Sequence, residues 1–416
     1  MPIDYVCKKC KKVYSKTEYT QSGLCTTCGT FLLVTFHKDI TEEVSFTQKG
    51  SPIYEQGHKE KMALFRAAES LRKRVGQIKE YEVVSEKESE SQKPYVFENW
   101  LWRFEYEEAL QFEKHLLKQY KGKLLEEALP GKVISNEYGQ CYEISTSCCA
   151  KFKKVTYVES KHVLISDLKV ISGIGPVNEQ ILKKQGYTTV EDLTRHSRWK
   201  KQAYAYMKLI DTKETCQVQK WLWHRLPKSH PLLHYLAGFC EDNNFVIVDI
   251  ETLGLSERPI ILLGIAKPVE DHICTTQFLL RDIHDEPSAI YALLSQLNPN
   301  LSLITYGGKN FDIPYIKQRL AYYGIDEYID NINFDILHFT RRALKSKLAD
   351  CRLDTVEKYL GIKRNVNIPG ALVPHFYDTY LRTKNVGPLV PIVEHNRQDL
   401  LTLGTLFSKL YEEWTI

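Results

Sequence analysis

The sequence predicts an α/β protein: a C-terminal mixed sheet with flanking helices, preceded by a small β-rich module and a middle region of helices and strands. Three observations support this. Beyond residue 243, apolar runs typical of buried strands (FVIVDIE, IILLGIA, CTTQFLL, LSLITYG) mix with segments of helical periodicity. Residues 98–129 and most of 198–240 carry apolar residues at helical spacing. Short β-rich pieces surround two C-x-x-C pairs within residues 5–34.

The 416 residues suffice for two to four domains. Composition and pattern divide the chain into six expected segments. They are a cysteine module at 1–36, a mainly helical region at 37–130 with a charged linker at 85–94, a β-rich segment at 131–165 read as strands, two short helices around a glycine turn at 166–198, a helical connector at 199–242, and the C-terminal α/β domain at 243–416.

The formal net charge of +4 permits a nucleic-acid partner without requiring one. No apolar run approaches the length of a membrane span, and the N-terminus lacks the layout of a secretory signal. We therefore expect a soluble, cytoplasmic protein with no membrane partner. In that compartment the eleven cysteines stay as thiols, which favours metal binding over disulfides.

Four cysteines form two pairs near the N-terminus, Cys7 with Cys10 and Cys25 with Cys28. Each spacing lets one tight turn aim two sulfurs at one ion, and Zn²⁺ takes four thiolates tetrahedrally. The pattern predicts a zinc ribbon with one structural Zn²⁺; iron or no metal are the alternatives. A closed site leaves no position for catalysis, and the ribbon's own partner, nucleic acid or protein, stays open.

The stretch ISGIGP precedes a predicted helix and resembles a helix-hairpin-helix motif. Gly173 and Gly175 would let backbone amides approach a phosphate, with Lys183 and Lys184 in the following helix. The alternative is a glycine turn that only connects two packed helices.

The strand FVIVDIE ends in Asp249 and Glu251, which share one face because strand side chains repeat every second residue. Two neighbouring carboxylates at a strand end repel each other unless a cation joins them. Asp312 follows a strand and a glycine turn, and His395 and Asp399 lie four apart on a predicted helix. Each has an ordinary alternative: a helix N-cap for Asp312, a surface position for Asp399 and for His395.

Together these residues resemble the DEDD superfamily of 3′–5′ exonucleases on the ribonuclease H-like fold. DIETLG matches its first motif, NFD its second and HNRQD its third. FDILHFTRRAL, CRLDTVEKYLGI, NIPG and HNRQDLLTL are similar to the YprB-like branch, over residues 243–413. Superfamily members usually carry Tyr-x3-Asp or His-x4-Asp in the third motif, whereas this chain has a histidine at the tyrosine spacing.

The resemblance implies a two-metal-ion 3′–5′ exonuclease that releases nucleoside monophosphates. Asp249, Glu251, Asp312 and Asp399 would hold two Mg²⁺ or Mn²⁺ ions, and His395 would accept a proton from the attacking water. Thr252 and Leu253 would touch the terminal nucleotide. Asp335 is expected to be structural or to support the site from outside it.

Single-stranded DNA or DNA ends are the expected substrate, with RNA the second choice, and the identity of any protein partner stays open. The segment RWKKQAYAYMKL mixes basic and aromatic residues as a strand-binding surface does, or as a solvated helix with inward tyrosines does. Two other functions stay open. One is a nucleic-acid-binding adaptor with an idle nuclease domain, and the other is a structure-specific endonuclease on the same fold.

Overall fold

The computed structural model describes residues 106–150, 152–364 and 368–414 with their side chains. It also describes the backbone of residues 100–105 and of three short strands nearer the N-terminus. The chain divides into two compact units, Met1–Ser70 and Leu71–Ile416. The predicted linker at 85–94 lies outside the described residues.

The N-terminal unit contains a three-stranded antiparallel sheet of order β2-β1-β3. Its strands are β1 (Ile3–Cys7), β2 (Val13–Tyr14) and β3 (Leu32–Phe36). Cys7 ends β1, whereas Cys10, Cys25 and Cys28 lie outside the described residues. The zinc site therefore stays a prediction from the sequence.

The second unit is built from one large sheet and the helices around it. Its strands are β4 (Lys132–Asn136), β5 (Gly139–Cys149), β6 (Phe245–Thr252), β7 (Ile260–Val269), β8 (His272–Leu279), β9 (Ser302–Thr305) and β10 (Asn333–Asp335). Its helices are α1 (Trp100–Gln119), α2 (Leu125–Ala128), α3 (Tyr157–Ser166), α4 (Pro176–Lys184), α5 (Lys200–Asp211), α6 (Thr215–Trp223), α7 (Pro231–Tyr235), α8 (Glu286–Ser295), α9 (Asp312–Tyr323), α10 (Ile336–Leu344), α11 (Leu353–Leu360), α12 (Val373–Thr383) and α13 (Leu389–Lys409).

The seven strands of this unit form one mixed sheet of order β10-β9-β6-β7-β8-β5-β4. Strands β10, β9 and β6 run parallel, and the pairs from β6 to β4 are antiparallel. This is the mixed sheet with flanking helices that the sequence predicts. Strands β4 and β5, from the expected β-rich segment, join it through the pairing of β5 with β8.

Strand β6 is buried on both faces, which explains its continuous apolar sequence. Val246, Val248 and Ile250 belong to one hydrophobic cluster, and Phe245 and Ile247 belong to another. Because side chains alternate along a strand, Asp249 and Glu251 follow Phe245 and Ile247 onto the second face.

Helix α13 lies on this second face of the sheet. A Cβ added to Gly404 would meet Ile273 Cδ1 at 2.6 Å and Ile247 Cδ1 at 3.1 Å. The missing side chain at position 404 therefore lets the helix approach the sheet closely. The same helix carries the HNRQD motif, so its packing sets the position of those side chains.

The prediction of strands throughout residues 131–165 is wrong for its last part, because Tyr157–Ser166 is helix α3. Its start is a capping box: the side chain of Thr156 accepts from Glu159 N–H, and the Glu159 side chain accepts from Thr156 N–H. The β-branched residues of this segment favoured a strand, but the capping pair and tertiary packing decide the outcome.

The middle helices share a hydrophobic core with the sheet. Leu164, Tyr206 and Leu222 belong to the same buried cluster as Phe245 and Phe407. This packing brings the helical connector against the face of the sheet that carries Asp249. Within the described residues, no helix is both long and apolar enough to cross a bilayer.

Candidate active site

Asp249 lies inside the sheet, next to helix α13. The side-chain amide of Asn396 donates to Asp249 Oδ2 at 2.7 Å and to the Asp249 carbonyl at 3.2 Å. Asn396 is fully buried, and its own oxygen accepts from Gln277 Nε2 at 2.8 Å. This chain of hydrogen bonds fixes the third motif against the first.

Gly264 on the neighbouring strand β7 makes room for Asn396. A Cβ at position 264 would lie 2.1 Å from Asn396 Oδ1. Glycine in the interior of a strand signals such a close approach. Asn396 and Gln277 were not predicted as supports of the site, and the glycine within the apolar run IILLGIA is the signal that could have indicated them.

Asp312 contacts the same strand, β6, from helix α9. It is the first residue of α9, behind Phe311 at the N-cap position, and only 6% of it is exposed. The backbone N–H of Ile250 donates to Asp312 Oδ1 at 3.2 Å. Asp312 is thus not the N-cap of its helix, and its carboxylate lies beside the main chain between Asp249 and Glu251.

His395 and Asp399 project from α13 toward Glu251. His395 Nε2 lies 3.6 Å from Asp399 Oδ2 and 3.9 Å from Glu251 Oε1. The structure therefore brings together all five residues for which the sequence predicts a catalytic role, from three separate segments of the chain.

Arg364 contacts two members of this group, His395 and Asp399, and was not among the residues predicted for the site. Its guanidinium makes short ion pairs with Asp399 and with buried Glu357, and its Nη1 lies 3.0 Å from His395 Nδ1. It follows α11 in a loop, where no periodic pattern marks its direction. Sequence spacing alone therefore gave no signal for it.

The contact with Arg364 determines the tautomer of His395. A guanidinium only donates hydrogen bonds, so Nδ1 of His395 must accept and the neutral ring carries its proton on Nε2. Burial lowers the pKa of His395 below its usual range; Asp399 opposes this shift and Arg364 adds to it. In this arrangement His395 Nε2 is a donor, which differs from the proton-accepting role expected from the sequence.

The carboxylates of the site disfavour one another's charge. Burial raises the pKa of Asp249 well above its usual range, and the charges of Asp399, Glu251 and Asp312 raise it further. Burial and the Asp399 and Asp312 charges likewise raise the pKa of Glu251, against the opposing charge of Arg364. Burial raises the pKa of Asp312 to about 7, although hydrogen bonds to backbone N–H groups oppose the shift.

The donor set fits a hard divalent cation, because carboxylate oxygens are the ligands that Mg²⁺ and Mn²⁺ prefer and a dication would offset the repulsion. Among the described side chains, no three His, Cys, Asp or Glu residues are grouped closely enough to hold an ion as they stand. Asp399 is engaged by Arg364. The guanidinium of Arg364 occupies Asp399 Oδ1, so a cation at Asp399 would use Oδ2 or replace the guanidinium.

Thr252 and Leu253, the expected contacts to the terminal nucleotide, both make contacts within the protein. Thr252 donates its hydroxyl to the Gly254 carbonyl at 2.8 Å, and Leu253 is half-buried against the core.

The expected structural role of Asp335 fits its position. It is 2% exposed and accepts from the backbone N–H groups of Gly307 at 2.8 Å and Lys309 at 3.2 Å.

The glycine turn precedes α4. Gly173 has a φ of +85°, which favours glycine, and Gly175 is the N-cap of the helix. Lys183 Nζ pairs with Glu179 Oε1 at 3.2 Å, whereas Lys184 is exposed and makes no ion pair within the described chain. The turn leads directly into α4, and its binding of phosphate stays a prediction.

Comparisons with known proteins agree with this architecture. Residues 246–411 match the family model RNase_H_2 of the RNase H superfamily. The uncharacterized protein YprB of Bacillus subtilis (strain 168) is 35% identical over 192 residues, 45% of this chain and 46% of YprB. The match thus spans about half the length of that relative.

Two solved structures show weaker likeness. The family B DNA polymerase of Pyrobaculum calidifontis has a TM-score of 0.32 at 15% identity, covering 40% of this chain and 24% of the polymerase. E. coli exonuclease I in complex with a dT13 oligonucleotide has a TM-score of 0.24 at 13% identity, covering 38% and 45% of the two chains. At these values the likeness carries no inference about activity.

The sheet and the family match together establish that the C-terminal part of the chain, residues 246–411, is an RNase H-like domain.

Proposed function

We propose that the chain is a divalent-metal-dependent nuclease that removes nucleoside monophosphates from the 3′ end of a nucleic acid, with single-stranded DNA ahead of RNA. The observation that carries the proposal is the meeting of Asp249, Glu251, Asp312 and Asp399 at one end of β6. These acids come from three segments, are largely removed from solvent, and lie in a domain of the RNase H superfamily. A protein has little reason to keep such a group of carboxylates together unless cations join them.

Asp249, Glu251, Asp312 and Asp399 would hold two Mg²⁺ or Mn²⁺ ions, which would supply Lewis-acid activation of a water and charge stabilisation at the leaving oxygen of a phosphodiester. Asn396 holds Asp249 in place through its 2.7 Å hydrogen bond. The backbone N–H of Ile250 orients Asp312 in the same way. Both contacts leave the second oxygen of each carboxylate available for another ligand.

His395 is the proposed proton acceptor for the attacking water, and the geometry sets a condition for that role. Nε2 accepts a proton only when it carries none, so the single ring proton must then lie on Nδ1. Arg364 cannot donate to a protonated Nδ1. We infer that Arg364 leaves His395 before the reaction.

The middle helices offer a surface for a single strand. Lys200, Tyr204 and Lys208 are exposed on α5 and lie four residues apart, so they share one face of the helix. Tyr206 points into the core instead. A basic face with an exposed aromatic ring suits phosphate contact and base stacking.

The glycine turn is proposed as a second, sequence-independent phosphate contact. The N–H of Ser172 donates to Gln202 Oε1 and that of Ile174 to the Ile171 carbonyl. The N–H groups of Gly173 and Gly175 have no partner within the described part of the chain. These two amides and Lys184 are the groups left to meet a phosphate.

The direction of attack tests the proposal. Single-stranded DNA and RNA of one sequence, labelled at the 5′ end in one set and at the 3′ end in another, are incubated with Mg²⁺ or Mn²⁺. We expect a ladder that shortens from the 3′ end, with the 3′ label released as a mononucleotide. Internal cuts would show an endonuclease, and binding without cleavage under any metal would show an adaptor.

A matched pair of variants controls for contaminating nucleases. Asp249→Asn should abolish cleavage, whereas Asp271→Asn, in the exposed turn between β7 and β8, should cleave like the wild type. Equal cleavage by both variants would overturn the assignment of the site.

A further inference from the structure

A group of positive charges lies beside the turn that leads into Asp312. Gly307 and Lys309 in this turn both donate backbone N–H bonds to the carboxylate of Asp335, at 2.8 Å and 3.2 Å. The φ of +79° at Gly307 suits glycine, and a Cβ at Gly308 would lie 2.4 Å from Thr305 Cβ. These contacts hold the turn in place and therefore fix the backbone position of Lys309.

The side chain of Lys309 reaches the helical middle region. Its Nζ lies 4.7 Å from the centre of the Trp223 ring, and Lys228 Nζ lies 5.8 Å from the same ring. Trp223 is the last residue of α6, so the indole joins a turn of the RNase H-like domain to the middle helices. The aromatic face attracts both ammonium groups and holds them near each other.

These cations lack matching anions. Neither Lys309 nor Lys228 makes an ion pair with any described residue. The charge of Asp335 acts on Lys309, but the Asp335 oxygens accept backbone N–H bonds. Burial lowers the pKa of the Lys309 ammonium to about 8, Asp335 opposes the shift, and the charge of Lys228 adds to it.

The next helix adds to the positive charge. His338 on α10 is half-buried, and burial lowers its pKa; Asp335 opposes the shift, and the charges of Lys309, Arg341 and Lys228 add to it. Arg341, on the same helix as His338, is exposed. An external anion would relieve this repulsion.

We propose that Lys309 and Lys228, positioned by the Trp223 ring, form a phosphate-binding subsite that holds a backbone phosphodiester of the single strand whose 3′ end enters the acidic site. This rests on the proposed function. Lys309 stands three residues before Asp312, so their Cα atoms are at most about 11 Å apart. A strand bound there lies within reach of the carboxylates, and contacts to phosphate position it without reading its sequence.

Binding of DNA without turnover tests the subsite. The probe is a fluorescent oligo(dT) whose anisotropy is measured in EDTA at several salt concentrations. Lys309→Gln and Lys228→Gln should each weaken binding by about tenfold or less. Each should also reduce the slope of log affinity against log salt by about 0.7, because each removes one phosphate contact to a single strand. Lys317→Gln, an exposed lysine on α9, is the matched control and should change neither quantity.

Variants of Trp223 separate positioning from folding. Trp223→Phe keeps an aromatic face and should retain most of the affinity, whereas Trp223→Leu should lose about as much as the lysine variants. Thermal unfolding of each variant shows whether it is folded. Equal loss in the folded Phe and Leu variants would contradict the role of the ring.

Two outcomes overturn the proposal. One is an unchanged affinity and salt slope in the double lysine variant. The other is lysine-dependent binding of thymidine 5′-monophosphate as tight as that of the oligonucleotide, which would assign the subsite to the released product. Because the assay needs no cleavage, a wild type that binds through these lysines yet cuts nothing would refute the nuclease and leave the subsite standing.

Discussion

At the scale of single residues, the candidate site depends on contacts that hold carboxylates in unfavourable surroundings. Asp249 and Glu251 could be predicted from the sequence, because two acids at the end of an apolar strand are conspicuous. Asn396 and Arg364 could not, because their importance lies in distances across the fold. Asn396 stands inside the HNRQD motif, yet spacing alone does not show that it bonds to Asp249.

Gly264→Ala tests the packing that supports Asn396. The new methyl group would lie 2.1 Å from Asn396 Oδ1, so Asn396 must move. We expect the free energy of unfolding to fall by about 1–3 kcal/mol, as for other overpacked cores. Gly254→Ala is the control, since its methyl group would meet only the flexible Arg258 side chain, at 3.0 Å. Urea denaturation measures both, and an equal effect in the two variants would contradict this account.

Arg364→Gln tests the charge balance of the site. In metal-free protein the change leaves Glu357 and Asp399 without their partner, and breaking a buried ion pair costs about 3–5 kcal/mol. Arg352→Gln, whose pair with Asp350 is exposed, should change stability by less than about 1 kcal/mol.

The same variant should bind Mn²⁺ more tightly than the wild type, because no guanidinium competes for Asp399. Isothermal titration measures this. Weaker Mn²⁺ binding by Arg364→Gln would show that Arg364 does not compete with the cation.

The raised pKa values predict how stability depends on pH. A carboxyl whose pKa is higher in the folded state binds more protons there than when unfolded, so stability falls as pH rises through the window between the two values. For Asp312 that window runs from an ordinary value near 4 to about 7. Metal-free protein should therefore be less stable at about pH 7.5 than at about pH 5.

Urea denaturation in EDTA measures this pH dependence, and Asp312→Asn should reduce it. Saturating Mg²⁺ should reverse the trend, because cations bind the deprotonated acids. A metal-free stability that rises across this range, with Asp312→Asn behaving like the wild type, would contradict the pKa assignment.

At the scale of elements, the sequence predicted most of the strands and helices that carry the site. Strands β6, β7, β8 and β9 coincide with the apolar runs, and a helix follows the glycine turn at 173–175 as predicted. Helix α3 was missed because a β-branched composition outweighed the Thr156–Glu159 capping box in the prediction. The apolar pattern of a segment predicts its secondary structure well where that pattern matches the buried positions. It predicts less well where a capping interaction determines whether a helix forms.

The cysteine module yields a prediction at this scale. One Zn²⁺ per chain should be found by elemental analysis after gel filtration, and Cys25→Ser should lose it. Because unit Met1–Ser70 is compact by itself, we expect zinc removal to unfold this unit and to leave the unfolding of the C-terminal domain unchanged. Retained zinc in Cys25→Ser, or joint unfolding of both units, would contradict the predicted module.

At the scale of the whole molecule, the larger unit is more integrated than a string of segments suggests. Strand β5 pairs with β8 across more than a hundred residues of chain, and the middle helices share a core with β6 and α13. Such pairing depends on register between distant segments, which spacing within one segment does not reveal. The order of the acids along the predicted elements was enough to indicate the candidate site. It did not indicate that β4 and β5 extend the sheet, or that Lys309 contacts Trp223.

The central claim is that acids from three segments share divalent cations. Titration of the protein with Mn²⁺, followed by electron paramagnetic resonance of the free ion, measures this directly. We predict about two bound ions per chain in a zinc-loaded wild type and loss of that binding in Asp249→Asn, with Asp271→Asn unchanged. Absence of Mn²⁺ binding in the wild type, or equal binding in Asp249→Asn, would contradict the claim.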